Sequence, residues 1–303
     1  MRLLQPERDT MIESVIGREG RGKTISRLKS QTRPRLWVLG AALAVAAVSG
    51  CSSAHPILEP YGKTYYLDGA GGWGFVRRDV PEGLRRAHYR GDCEVFDWST
   101  TRIPLLDQVD PLGLNKLSAR SLARRIKAYK QKYPDNHVNI IALSAGTGVV
   151  VWALERLKGE YKVNNVFFVG SSLAHAYDMD RALKSVEGKV YVYHSPRDLI
   201  LPWVKLLGTV DGKLGSKVAG QLGLRIKESY GGRVVNIGWE KKWERLGWSG
   251  GHTDCVGRPF VQYEIARRLK VEPRRAPRVK NSAAAADQPA GRNPAPQQSR
   301  SKR

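Results

Sequence analysis

From Lys63 onward the chain alternates short apolar runs with stretches whose apolar residues recur every three or four positions. "KTYYLDG" (63–69), "CEVFDW" (93–98), "VNIIAL" (138–143), "NNVFFVG" (164–170), "KVYVYH" (189–194) and "RVVNIGW" (233–239) read as strands. The continuous apolarity of "VNIIAL" predicts a strand covered on both faces. Between these runs the period changes. "SLARRIKAYKQKY" (121–133) puts Leu122, Ile126, Tyr129 and Tyr133 on one helical face, and "PFVQYEIARRL" (259–269) does the same with Val261, Ile265 and Leu269. Helices are also predicted over "VPEGLRRAHY" (80–89), with Pro81 in its first turn, over "TGVVVWALERL" (147–157) and near "DMDRALKSV" (178–186). Strands alternating with helices predict an α/β fold: one mostly parallel sheet with helices on both faces. No internal repeat is present.

The pattern stops at both ends. Residues 1–50 form a basic stretch followed by a short apolar run. Residues 271–303 are rich in Pro, Ala and Arg with almost no large apolar side chains, so this tail is expected to be disordered. The domain lies between them, over residues 62–270, joined to the N-terminal segment by a tether at 51–61. A chain of 303 residues with a net charge of +23 is drawn to anionic polymers or lipid headgroups. The cations are spread along the whole chain, though, and no zinc-ligand spacing, RNP-like strand or recognition helix is visible. Specific nucleic-acid binding is therefore not expected, and the basic tail is expected to make at most weak contacts with anionic polymers.

The N-terminal segment reads as an address. "LWVLGAALAVAAVSGC" follows Arg27, Lys29, Arg33 and Arg35 and ends in Val48-Ser49-Gly50-Cys51. A basic region, an apolar run of about fourteen residues and small residues before the cut describe a secretory signal. The run falls short of the about twenty residues that span a bilayer. Met11 is an alternative start. The ending resembles the lipobox of bacterial lipoproteins. That resemblance implies cleavage after Gly50, lipidation of Cys51 and a membrane-anchored protein of the bacterial envelope. The other cysteines, Cys93 and Cys255, would be free to pair in such a compartment, but nothing in their positions requires it.

In a parallel sheet chemistry collects after the carboxyl ends of strands. After the first strand, Gly69, Gly71 and Gly74 spell G-x-G-x-x-G, with Glu94 and Asp97 where a dinucleotide fold has its ribose-binding acid. In that fold, however, the helix starts on the glycines. Here the better helix start lies near Val80-Pro81. After "VNIIAL" comes Ser144-Ala145-Gly146, a small-x-Ser-x-small turn with Ala142 two residues before the serine. Such a turn lifts the serine above the sheet at a helix N-terminus. Asp198 follows the fifth strand in "SPRD", and His252 lies in "SGGHTD" beyond the last strand. Ser144, Asp198 and His252 thus come in the order Ser, Asp, His, each after a different strand. His194 precedes the acid and is out of order; Asp211 and Asp254 are rivals to Asp198.

In "DGAGG", "ALSAG", "SPRD" and "GGH", residues 62–270 resemble the alpha/beta-hydrolase superfamily. The resemblance implies Ser144 as nucleophile, His252 as general base and then acid, and Asp198 as the group that orients the imidazole. It assigns the glycine loop to the oxyanion hole, with the N–H of Ala70 as one donor, Gly71 as second choice, and the N–H of Ala145 as the other. Many members carry His-Gly where this chain has Asp68-Gly69, so Asp68 is expected to hold the loop by accepting backbone N–H groups. The implied activity is serine hydrolysis of an ester, thioester or amide, with neither cofactor nor metal. The alternative is an inactive hydrolase-fold lipoprotein that binds or scaffolds. Residues 171–188 leave no room for a large cap, which favours accessible esters such as acylated polysaccharide or short-chain esters. The insert 201–232 is expected to form one wall of the site.

Overall fold

The computed structural model describes His55 and residues 57–269 except 73, 75 and 76. Six strands form one sheet: β1 (Lys63–Leu67), β2 (Asp92–Val95), β3 (Val138–Leu143), β4 (Val166–Val169), β5 (Val190–His194) and β6 (Val234–Gly238). Their order is β2-β1-β3-β4-β5-β6, and every neighbouring pair is parallel. This is the expected α/β fold. All six predicted strands form, most of them a residue or two shorter than predicted.

The helices are α1 (Asp79–Arg86), α2 (Pro104–Val109), α3 (Leu114–Lys132), α4 (Gly146–Leu157), α5 (Asp180–Leu183), α6 (Leu201–Leu207), α7 (Ala219–Leu222) and α8 (Arg258–Phe260). A π turn at Val261–Ile265 and a 3₁₀ turn at Ala266–Arg268 extend α8. β3 explains the two-layered core. Ile140 and Ala142 face the cluster that α3, α4 and α5 cover, whereas Ile141 and Leu143 face the one that α1 and α8 cover. Every apolar position predicted on α3 is buried, as are Val261, Ile265 and Leu269. Burying each such side chain contributes roughly 1.5–3 kcal/mol.

Three short helices were not legible in the hydrophobic pattern: α2, α6 and α7. The first two carry much of their apolar surface outward, including Leu105, Val109, Trp203 and Leu206. A pattern reading that looks for a core-facing stripe passes over them. The helix expected near 178–186 is a single turn, and it is the only helix between β4 and β5, so no cap covers the sheet there.

The sheet runs outward in one direction from β1 to β2 and in the other from β3 to β6. The switch point therefore lies between β1 and β3. In open α/β sheets ligands bind outside the carboxyl ends at this crevice. The residues that follow β1 and β3 are the glycine loop and Ser144.

Candidate active site

Ser144 lies in the turn between β3 and α4 with φ +50°, a left-handed conformation that a residue with a Cβ adopts at a cost of about 1–3 kcal/mol. Neighbouring hydrogen bonds hold it there. Its N–H donates to the Val169 carbonyl at 3.0 Å, and its own carbonyl accepts the Thr147 N–H at 3.1 Å and the Thr147 hydroxyl at 2.6 Å. The small residue two positions on is a steric requirement. A Cβ on Gly146 would lie 2.6 Å from the Asp68 carbonyl oxygen. The turn brings the start of α4 that close to the loop after β1.

Asp198 lies in the turn after β5 and is buried. One carboxylate oxygen, Oδ1, accepts the N–H groups of Ile200 at 2.9 Å and Leu201 at 3.2 Å, at the start of α6. The other, Oδ2, accepts from His252 Nδ1 at 2.6 Å. With its proton on Nδ1, the imidazole keeps a lone pair on Nε2. The ring lies against Gly170, where an added Cβ would be 3.2 Å from Nδ1. Gly170 directly follows Val169, the residue whose carbonyl binds the Ser144 N–H. Asp198, His252 and Ser144 are thereby gathered over the ends of β3, β4 and β5.

The rivals are engaged elsewhere. Asp211 Oδ1 accepts the Ala174 N–H at 2.8 Å. Asp254 Oδ2 accepts the N–H and hydroxyl of Ser249, closing the turn that carries His252. His194 Nδ1 meets the Gln221 carbonyl at 3.2 Å, and burial lowers its pKa. Cys255 Sγ donates to the His252 carbonyl. It is no rival nucleophile, because burial holds its thiol well above the usual range. Cys93 and Cys255 are both free thiols.

The glycine loop separates the two candidate donors. The Gly71 N–H donates to Asp107 Oδ2 at 2.8 Å and so is already committed, which corrects its place as second choice. Among the described residues the N–H groups of Ala70 and Ala145 have no protein acceptor. Asp68 Oδ1 accepts the Gly69 N–H at 2.9 Å and the Tyr66 hydroxyl at 3.1 Å. The Asp68 carbonyl accepts from Trp98 Nε1 at 2.7 Å. Burial, reinforced by Asp68, raises the Tyr66 phenol far above its ordinary pKa and keeps it a donor. The dinucleotide reading fails on position: α1 starts at Asp79, well beyond the glycines.

Asp107 on α2 escaped the sequence reading. It is buried, and besides the Gly71 N–H it accepts the hydroxyls of Ser99 at 2.5 Å and Thr101 at 2.7 Å. A lone Asp in "PLLDQVD" carries no local signal for this role; only the fold brings it to the glycine loop. Asp107→Ala would leave the Gly71 N–H and the Ser99 and Thr101 hydroxyls without this acceptor. If the loop amide at Ala70 works on the substrate, kcat should fall about tenfold or more while KM stays within about twofold, since misplacing one oxyanion donor costs up to about 10²–10³. A change in thermal stability with an unchanged kcat would limit Asp107 to a structural role.

Two larger clefts lie apart from this site. One of about 530 Å³ lies between α3 and α4, and one of about 650 Å³ beside α1. Neither is lined by Ser144, Asp198 or His252. Among the described residues no group of His, Cys, Asp and Glu side chains is placed to hold a metal ion. Cys51, the segment before it and the tail 271–303 lie outside the described residues.

No protein-family model and no curated protein matches the chain. Among solved structures it is similar to a dienelactone hydrolase from Anabaena variabilis (20% identity, 58% of this chain and 74% of that one, TM-score 0.35). It is also similar to the esterase domain of a Rhodothermus marinus protein (13%, 72% and 91%, TM-score 0.40). A third is a serine hydrolase without a lid from Xanthomonas campestris (15%, 72% and 88%, TM-score 0.39). At these identities and scores the likeness adds nothing to the sheet already described.

Proposed function

We propose that the protein is a serine hydrolase that cleaves an ester through Ser144, His252 and Asp198. The observation that carries this reading is the 2.6 Å His252–Asp198 hydrogen bond, set over the strand ends beside a serine held at φ +50°. In the proposed reaction His252 Nε2 takes the Ser144 proton as Oγ attacks the ester carbonyl. The oxyanion that forms is bound by the N–H groups of Ala70 and Ala145. The carbon–oxygen bond to the alcohol breaks, and His252 returns the proton to the leaving oxygen. Water, deprotonated by the same imidazole, then attacks the acyl-serine, and the acid leaves with Ser144 restored. Asp198 keeps the proton on Nδ1 and stabilises the imidazolium.

The test is labelling with a fluorophosphonate, which should add to Ser144 in the wild-type chain and fail in Ser144→Ala. A folded chain that does not label would remove the catalytic reading and leave a binding or scaffolding protein. We further propose that the enzyme works at the bacterial envelope, tethered through Cys51. In a bacterial host the wild-type protein should stay in the membrane fraction through an alkaline carbonate wash, which strips peripherally bound protein, and Cys51→Ser should not. Retention of the variant through that wash would show that Cys51 is not the anchor.

A further inference from the structure

Two helices beside the proposed active site carry their apolar residues outward. On α2 and just after it, Leu105, Val109 and Leu112 are exposed, Leu112 by 76%. At α6, Leu199, Trp203 and Leu206 are exposed by 79%, 64% and 66%. Most of the exposed large apolar side chains among the described residues fall in the stretches 103–117 and 199–214. The two stretches form one surface, because the Gln108 side chain of α2 donates to the Gly208 carbonyl at the end of α6 at 3.1 Å. They also bracket the site: Asp198 binds the first N–H groups of α6, and Asp107 on α2 binds the loop that holds Ala70.

The charges on this surface have one sign. In 99–118 and 196–218 the exposed ionisable residues are Arg102, Lys116, Arg197, Lys205, Lys213 and Lys217; Arg102 pairs with Asp97 and Arg197 with Glu244, outside these stretches. The acids in the same stretches, Asp107, Asp110, Asp198 and Asp211, are buried or half-buried, and each accepts a backbone N–H. Exposed apolar side chains on this scale mark an interaction face. Leu and Trp interleaved with Lys and Arg, with no exposed acid, fit the boundary of a bilayer with anionic headgroups. There the apolar groups enter the acyl region and each cation near the surface contributes about 1 kcal/mol. An apolar protein partner would give no reason for acids to be missing from the exposed positions of both stretches.

We propose that α2 and α6 seat on an anionic lipid surface, so that the strand ends carrying Ser144 and Asp198 face the bilayer and the site receives an ester of a membrane-resident apolar molecule. The substrate part rests on the hydrolase reading; the docking part does not. It replaces the expectation of short-chain or polysaccharide esters, which came from the missing cap alone.

The test uses the full chain carrying Cys51→Ser, so that no acyl anchor contributes, and a second copy carrying Ser144→Ala as well. Both are compared with Trp203→Gln/Leu206→Gln in the same background. Vesicles contain phosphatidylcholine alone or with phosphatidylglycerol. Both parents should bind the anionic vesicles at least tenfold more tightly than the double variant, and the neutral vesicles much more weakly. Equal binding by parent and double variant would overturn the docking face. So would a parent dimer in solution that the double variant abolishes without any loss of vesicle binding. For the substrate, the double variant should lose about tenfold or more in kcat/KM on a long-chain ester dispersed in anionic vesicles and keep its rate on a soluble acetyl ester. Equal losses on both substrates would overturn the substrate class while leaving the hydrolase reading intact. If neither substrate is cleaved, the hydrolase reading and the substrate class fail together, and vesicle binding alone decides the docking face.

Discussion

Ser144→Ala is expected to lower kcat for ester cleavage by roughly 10⁴–10⁶, with KM and the folded structure little changed. The size follows from how the three residues would work together. Removing the nucleophile of such a set costs about as much as removing the whole set, and the residual rate comes from the oxyanion donors and binding. Alanine keeps the Cβ, so the turn at φ +50° experiences the same backbone constraint in both proteins. The bonds from the Ser144 carbonyl to Thr147 are made by the main chain and survive the change. The measurement is a steady-state rate on a chromogenic ester beside a thermal melt. A variant that melts like the parent and retains more than a tenth of its activity would rule out Ser144 as nucleophile.

Asp198→Asn is expected to cost about 10⁴ in kcat, again with an intact fold, and the geometry separates its two roles. The asparagine oxygen can still accept the Ile200 and Leu201 N–H groups. Its amide nitrogen would then face His252 Nδ1, where the carboxylate oxygen now sits at 2.6 Å. Two donors cannot share that space, so the imidazole must move its proton to Nε2. An N–H on Nε2 cannot take the serine proton, and this wrong tautomer is the source of the loss. Asp198→Ala would lose the same activity and in addition leave the buried Leu201 N–H without an acceptor, at about 1–3 kcal/mol, and free the part-buried Ile200 N–H. The measurement is kcat for both variants together with their urea midpoints. Activity of Asp198→Asn within tenfold of wild type would mean that the His252 tautomer does not limit the rate.

Much of the candidate site could be read from the chain because it is built where strands end. Ser144 lies in a turn that needs small neighbours, Asp198 in a tight turn after an apolar run, and His252 in a glycine-rich loop after the last strand. Each of these is a local constraint that leaves a local mark. The expectation that Asp68 would accept a loop N–H is met at Gly69. The choice between Ala70 and Gly71 had no such mark. It depends on Asp107, which lies 36 residues away in sequence from Gly71 and reaches the loop only because α2 packs beneath it. The exposed faces of α2 and α6 were missed for a related reason. Their apolar residues have helical spacing but point outward, and periodicity alone does not say which side of a helix meets the core.

By itself the sequence determined the parallel sheet, the helices over its two faces and the positions where chemistry would be exposed. All of these follow from backbone geometry and from burying apolar runs, which act over a few residues at a time. The tertiary structure alone decided which amide in the glycine loop stays free, which acids serve as hydrogen-bond anchors rather than as the partner of His252, and where the remaining apolar surface gathers beside Ser144. Those outcomes depend on contacts between elements far apart in the chain, where one packed neighbour consumes a donor or leaves a face bare. No stretch of residues records its neighbours in advance, and so the positions of the candidate residues were legible before the surface around them.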